Sequence, residues 1–267
     1  MPFTTAPDGV RIYFESCGTG RPVILVSGAF RDLGAWKQHG LFRALAVERK
    51  VIALDLRGHG MSDKPHDPAF YGFAKNTDDV IAVLEAERAQ CADVLGQSMG
   101  GNVAIALLHR PHPCLRSVAC HGVLPGIDIE RARQFLLRRA QLLRERRFAE
   151  LLETESPAHS LDACMLAGYV ERLKHTDTLA YAAEAEAQAR FELQTLPDDA
   201  LPTLFLACEH ELRTVHACAG LPSRYSYVCY RALPGTDHFA ARDPLHILAP
   251  LREFWAMLDS SRRLSVP

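Results

Sequence analysis

The segment Gly96-Gln97-Ser98-Met99-Gly100, of the form G-x-S-x-G, constrains this chain more than any other. In front of it lies Ala92-Asp93-Val94-Leu95, a short apolar run of strand type. Behind it Gly101-Asn102-Val103-Ala104-Ile105-Ala106-Leu107-Leu108 reads as a helix that stops at Arg110, before Pro111. A serine forced into a tight turn between strand and helix is held in a strained conformation with its oxygen exposed. Small residues must flank it, because a bulky side chain two positions away would collide with the turn. The helix that follows also aims unbonded backbone N–H groups at whatever the serine attacks. In this setting the pentad points to nucleophilic catalysis by Ser98.

Strand-type and helix-type segments alternate around it. Arg11 to Ser16 and Val23 to Ser27 read as strands split by the turn Gly18-Thr19-Gly20. A helix from about Trp36 to Glu48 leads into the apolar strand Val51-Ile52-Ala53-Leu54, which opens into the turn Asp55-Leu56-Arg57-Gly58-His59-Gly60. A helix from about Asn76 to Glu87 precedes the strand before Ser98, and Leu115 to Cys120 forms another strand. Near-continuous apolar strands alternating with amphipathic helices predict an α/β fold whose mostly parallel sheet is covered by helices on both faces.

That alternation breaks after Pro125. From Ile129 to Phe191 the sequence is helical in character, with Ala132, Leu136, Ala140 and Leu143 forming one apolar stripe. Arg131, Arg133, Arg138, Arg139, Arg144, Arg146 and Arg147 crowd this region. They read first as a solvated face; a site for an anionic substrate such as an acyl-CoA is the sharper alternative. Strand and helix resume at Pro202-Thr203-Leu204-Phe205-Leu206-Ala207, followed by a strand over Ser226 to Arg231 and a helix from about Pro244 to Leu258. The expected organisation is one α/β core, residues 1–124 and 200–267, interrupted by a helical cap over residues 125–199.

With 267 residues the chain can bury a substantial core, and 48% hydrophobic with 23% charged residues is ordinary globular composition. A formal net charge of −2 gives no reason to expect nucleic acid or an acidic membrane as partner. No basic region followed by an apolar stretch opens the sequence, and no window approaches the roughly 18 apolar residues that span a bilayer. The eight cysteines are scattered without a C-x-x-C pair, which reads as free thiols in a reducing cytoplasm. Cys120-His121 lacks a second ligand pair at zinc-like spacing, so no metal is expected.

A serine hydroxyl is a poor nucleophile without a base, and the base needs a carboxylate to fix its tautomer. Of twelve histidines, His238 is best placed, in the loop Pro234-Gly235-Thr236-Asp237-His238-Phe239 after the last strand. The acid is expected from the loop after the preceding strand, Cys208-Glu209-His210-Glu211-Leu212. Glu211 is the choice and Glu209 its alternative; Asp237 adjoins the histidine and reads as a loop former. The oxyanion hole requires two preorganised N–H donors. One is expected from Met99 and the other from Ala29, in Val26-Ser27-Gly28-Ala29-Phe30, where Gly28 permits close approach. Phe30 and Phe239 are candidate pocket residues, although Phe30, like Trp36, could equally belong to the core. Asp55, Arg57 and His59 read as stabilising a turn.

These motifs make the chain resemble the α/β-hydrolase fold superfamily, in particular its esterases, lipase-like enzymes and cofactor-free haloperoxidase relatives. The resemblance rests on Ser27-Gly28-Ala29-Phe30, Asp55 to Ser62, Gly96 to Gly101 and His238-Phe239, and the insertion after Cys120 matches the variable lid. It implies a serine hydrolase with a Ser-His-Glu triad and no cofactor, cleaving a small ester, lactone or thioester. The same triad in that superfamily also serves carbon–carbon bond hydrolases and lyases, and a relative that kept the fold as a ligand-binding protein is a further reading. Three departures stand out: Ser27 where many relatives carry histidine, Cys208 in place of a usual glycine, and Glu211 where aspartate is commoner. Substrate identity and oligomeric state are not encoded in these motifs.

Overall fold

The computed structural model describes residues 2–123, 125, 129–159, 163–190, 195–238 and 243–263. Eight strands form one sheet: β1 (Phe3–Thr5), β2 (Arg11–Cys17), β3 (Pro22–Val26), β4 (Lys50–Leu54), β5 (Ala92–Gln97), β6 (Leu115–His121), β7 (Thr203–Cys208) and β8 (Val228–Leu233). Their spatial order is β1-β2-β4-β3-β5-β6-β7-β8. From β4 onward neighbours are parallel, while β1 and β2 run antiparallel at one edge. The helices are α1 (Gly34–Gln38), α2 (Leu41–Ala46), α3 (Phe73–Ala86), α4 (Met99–Leu108), α5 (Ile129–Arg144), α6 (Phe148–His159), α7 (Ala163–Lys174), α8 (Thr178–Gln188), α9 (Leu212–Ala219), α10 (Leu221–Arg224) and α11 (Pro244–Arg263).

Successive strand residues point to opposite faces, and the apolar runs therefore feed two cores. On one face Ile24, Val26, Ile52, Leu54, Val94 and Phe205 meet Val80, Val83 and Leu84 of α3 and Val103 and Leu107 of α4. On the other, Val23, Leu25, Val51, Ala53, Leu95, Leu204 and Leu206 meet Trp36, Leu41 and Leu45 of α1 and α2 and Leu251, Phe254 and Trp255 of α11. Each such fully buried side chain contributes roughly 1.5–3 kcal/mol by leaving water, which is why both faces must be covered.

Several expected bounds differ: α3 starts at Phe73 rather than Asn76, and α11 runs to Arg263 rather than Leu258. The helix foreseen from Trp36 to Glu48 is broken into α1 and α2 by Gly40, whose left-handed φ of 81° ends the first turn and starts the second. The last strand lies two residues later than the expected Ser226 to Arg231, at Val228–Leu233.

Between β6 and β7 the described residues form four helices and no strand. This insertion has its own core of Ala140, Leu142, Leu143, Phe148, Leu151, Tyr169, Leu173, Tyr181, Ala182 and Ala185, into which Phe30 projects from the loop after β3. A second contact seats Ala180, Ala183 and Ala187 of α8 against Tyr71. Several arginines of α5 and the turn after it lie in surface ion pairs, Arg138 with Glu150, Arg144 with Glu186 and Arg147 with Glu145 and Glu150. Among the described residues no helix is long and apolar enough to cross a membrane.

Candidate active site

The parallel strands end together at one edge of the sheet, and the candidate residues gather there. Ser98 follows β5 directly, with φ 53° and ψ −119°, a backbone conformation that costs a side-chain-bearing residue roughly 1–3 kcal/mol. The strain is held by packing on both sides. A Cβ on Gly96 would overlap the Gly100 carbonyl, one on Gly100 the Val26 carbonyl, and one on Gly101 the Val123 side chain. The Ser98 amide donates to the carbonyl of His121 at 2.8 Å, which anchors the turn to β6. Met99 opens α4, so its amide belongs to the first helical turn, where N–H groups lack intrahelical partners.

The loop after β3 lies against this turn: a Cβ on Gly28 would stand 3.1 Å from the Ser98 Cβ and 3.6 Å from its Oγ. Gly28, one residue before Ala29, is thus beside the serine. Ser27, standing where the resemblance expects histidine, donates its Oγ–H to the Asp32 carbonyl at 3.1 Å and closes the loop on itself. Asp55 fastens the far side, accepting from the Leu33 amide at 2.7 Å and the Met61 amide at 2.8 Å. Phe30 has a positive φ of 58° and is buried, its ring edge-on to Tyr169 and Tyr181 with centroids 5.6 and 5.0 Å away. It sits in the core of the helical insertion, while Trp36 sits in the core between sheet and helices. Phe239 lies outside the described residues.

On the other side of Ser98, His238 is buried in the loop after β8 and its Nδ1 lies 2.8 Å from Oε1 of Glu211, which precedes α9. Glu209 faces elsewhere, accepting from the Gly235 amide at 2.7 Å. Gln97, inside the pentad, donates its side-chain N–H to the His238 carbonyl at 3.1 Å and ties the histidine loop to β5. Gly122, with φ 64°, leaves room for the imidazole: a Cβ there would stand 2.8 Å from Cε1 and 2.9 Å from Nδ1. Burial and the neighbouring Glu211 push the Cys208 thiol up to about 12, so it remains S–H; it donates to the Asp237 carbonyl at 2.9 Å. Sequence reasoning passed over Gln97 and Gly122; the signal available was only their place at strand ends.

The turn after β4 is structural, as its residues suggested. Arg57 is fully buried and bonds Asp79 at 2.6 and 2.9 Å, Asp8 at 2.7 Å and the Phe70 carbonyl at 2.6 Å.

A sequence profile described as the alpha/beta hydrolase family matches residues 23–255. The chain belongs to that family. Over 106 residues it is 37% identical to a 2-hydroxymuconate semialdehyde hydrolase of Pseudomonas sp. (strain CF600), a match covering 39% of this chain and 37% of that protein. Over 131 residues it is 35% identical to a non-heme chloroperoxidase of Kitasatospora aureofaciens, covering 49% of this chain and 46% of the other. The chain therefore spans less than half the length of these curated relatives. Among solved structures, an enol-lactonase from Burkholderia xenovorans LB400 superposes with a TM-score of 0.74 at 22% identity, covering 97% of this chain and 98% of the other. An esterase from Exiguobacterium antarcticum gives 0.74 at 17% identity, covering 97% and 98%. At those identities the likeness is one of fold: this alpha/beta hydrolase has the family's mostly parallel sheet with a helical insertion.

Proposed function

We propose that this alpha/beta hydrolase is a serine hydrolase acting on a small ester, lactone or thioester. The observation that carries the reading is the 2.8 Å bond between His238 Nδ1 and Glu211, formed at the strand edge where Ser98 sits in its strained turn. With Nδ1–H committed to the carboxylate, Nε2 is the nitrogen left to take the serine proton. Ser98 Oγ attacks the carbonyl carbon, and the oxygen that gains charge is received by the amides of Met99 and Ala29. His238 returns the proton to the leaving alcohol or thiol, and an acyl-enzyme remains. Water, deprotonated by the same histidine, then releases the acid and restores the serine. No metal or organic cofactor enters these steps. The cap, residues 125–199, shapes the pocket, and a reducing cytoplasm suits the seven free cysteines among the described residues.

Carbon–carbon bond hydrolysis is the second reading, favoured by the 37% identity to a protein named 2-hydroxymuconate semialdehyde hydrolase. A fluorophosphonate probe on wild type and Ser98→Ala tests the nucleophile: labelling of the wild type only is expected. Equal labelling of both, or none in folded wild type, overturns it. A panel of graded esters and lactones beside a meta-cleavage dienoate separates the two chemistries; turnover of the dienoate alone would overturn the ester reading.

A further inference from the structure

Cys120 and His121 are adjacent, but successive side chains of β6 point to opposite faces. Cys120 Sγ turns into the first core and meets the Gly101 carbonyl at 3.6 Å. His121 turns the other way, where its Nε2 lies 3.0 Å from Sγ of Cys208 on the neighbouring strand β7. Glu211, three residues beyond Cys208, brings its carboxylate to the same place. One ligand atom from each of His121, Cys208 and Glu211 lies within 4.8 Å of the other two, and His121 and Cys208 are buried at 1% and 0% exposure.

We propose that these three side chains bind a soft or borderline divalent ion, Zn²⁺ or Cd²⁺, and that its binding shuts off the catalytic centre. The inhibition half rests on the reading of Glu211 as the triad acid; the binding half does not.

The donor set selects the ion. A thiol, an imidazole and a carboxylate together suit zinc and its heavier congener, whereas Mg²⁺ and Ca²⁺ take oxygen ligands. The spacing is close to what such an ion needs. With metal–sulfur near 2.3 Å and metal–nitrogen near 2.05 Å, a tetrahedral site holds those two atoms about 3.6 Å apart. The pair must therefore open by roughly half an ångström from its present hydrogen bond, within reach of small side-chain rotations. On binding, Cys208 gives its thiol proton to solvent as the sulfur–metal bond forms. His121 supplies the Nε2 lone pair, Glu211 one oxygen and water the fourth position; nothing is oxidised or reduced.

The consequence follows from charge. Glu211 faces His238 Nδ1 at 2.8 Å, and its negative charge stabilises the imidazolium that must form during acyl transfer. The dication, the Cys208 thiolate and the Glu211 carboxylate together sum to zero charge, so the protonated histidine faces a neutral centre and loses the negative partner that stabilised it.

The test titrates Cd²⁺ into full-length wild type, Cys208→Ala and His121→Gln, reading the cadmium–thiolate ultraviolet band, with ester turnover measured beside it. Wild type should take up one more equivalent than Cys208→Ala, so exposed Cys17 and the other cysteines cancel between the two. Turnover of wild type should fall at least tenfold at that equivalent and return with a chelator, while each variant keeps more than half of its own metal-free rate. Equal uptake by wild type and Cys208→Ala overturns the site. Extra uptake without loss of turnover overturns the inhibition. Should the variants not fold, X-ray absorption of wild type loaded with one equivalent of Zn²⁺ decides: one sulfur with nitrogen and oxygen neighbours supports the site, and an all-oxygen or multi-sulfur shell overturns it. These binding readouts need no substrate, so failure of the hydrolase reading is distinguishable from failure of the site.

Discussion

Glu211 Oε1 lies 2.8 Å from Nδ1 of His238, while Glu209, two residues earlier in the same loop, turns away and accepts from the Gly235 amide at 2.7 Å. The two carboxylates differ in what they hold, the His238 imidazole or the Gly235 turn. Glu211→Gln keeps the shape but removes the charge and favours the wrong tautomer, so kcat should fall about 10²–10⁴-fold. Glu209→Gln loosens only the Gly235 turn and should leave kcat within about threefold. Steady-state kinetics on one ester compares them, and a larger loss for Glu209→Gln would reverse the assignment.

Gly122 keeps His238 where it is. Its φ of 64° costs an alanine roughly 1–2 kcal/mol, and the added methyl would press on the imidazole at 2.8–2.9 Å. Gly122→Ala should therefore lose kcat by tenfold or more while thermal unfolding shifts by only a few degrees. Unchanged kcat in the folded variant would mean that the histidine loop yields freely and Gly122 does not position it.

The strands and the site loops were readable because each carries a local signal: apolar runs bounded by Gly, Pro and Asp, and chemistry placed just after a strand. That is why Glu211 and His238 could be paired across the gap between two loops. What could not be read depends on which strands lie side by side. His121 and Cys208 meet across β6 and β7 although 87 positions separate them, while alternation along β6 sends the side chains of adjacent Cys120 and His121 to opposite faces. Phe30 was ambiguous for a similar reason. Its apolar character fits a pocket or a core, and only the packing of Tyr169 and Tyr181 from the insertion puts it in the latter. The antiparallel pairings of β1 with β2 and of β2 with β4 also depend on which strands lie side by side, which no local run of residues states.

At the start of β5, Asp93 is fully buried and holds Arg49 at 2.6 Å, Arg116 at 3.1 Å and the Ser117 hydroxyl at 2.5 Å. The Arg49 guanidinium also stacks on Trp255, 3.8 Å from the ring centroid. Asp93→Ala leaves two buried arginines without their shared anion, which costs about 3–5 kcal/mol. Unfolding temperature should drop by roughly 10 °C. Ser98 follows the opposite end of this strand, so kcat of the folded variant should stay within about twofold. A large kcat loss without a fall in unfolding temperature would contradict this structural role.

Where α8 docks on the turn after β4, Glu184 and His59 face each other, Oε2 to Nε2, at 3.6 Å with almost no exposure. Burial pushes the Glu184 carboxyl up to about 8 and the His59 imidazole down to about 4, so both are neutral in the folded protein near pH 6. The two groups act on opposite sides. Glu184 keeps its proton when folded but loses it when unfolded above its ordinary carboxylate pKa, so its contribution is lost as pH rises from about 4.5 to 8. His59 binds its proton more weakly when folded, so its contribution is lost as pH falls from 6.5 through 4. Glu184→Gln cannot ionise. Its unfolding free energy relative to wild type should rise by on the order of 3–4 kcal/mol between pH 5 and pH 8. The acid-side loss due to His59 should persist in the variant. Urea unfolding at pH 5, 6.5 and 8 measures the difference, and a variant-minus-wild-type value that stays flat across that range would show that Glu184 titrates normally.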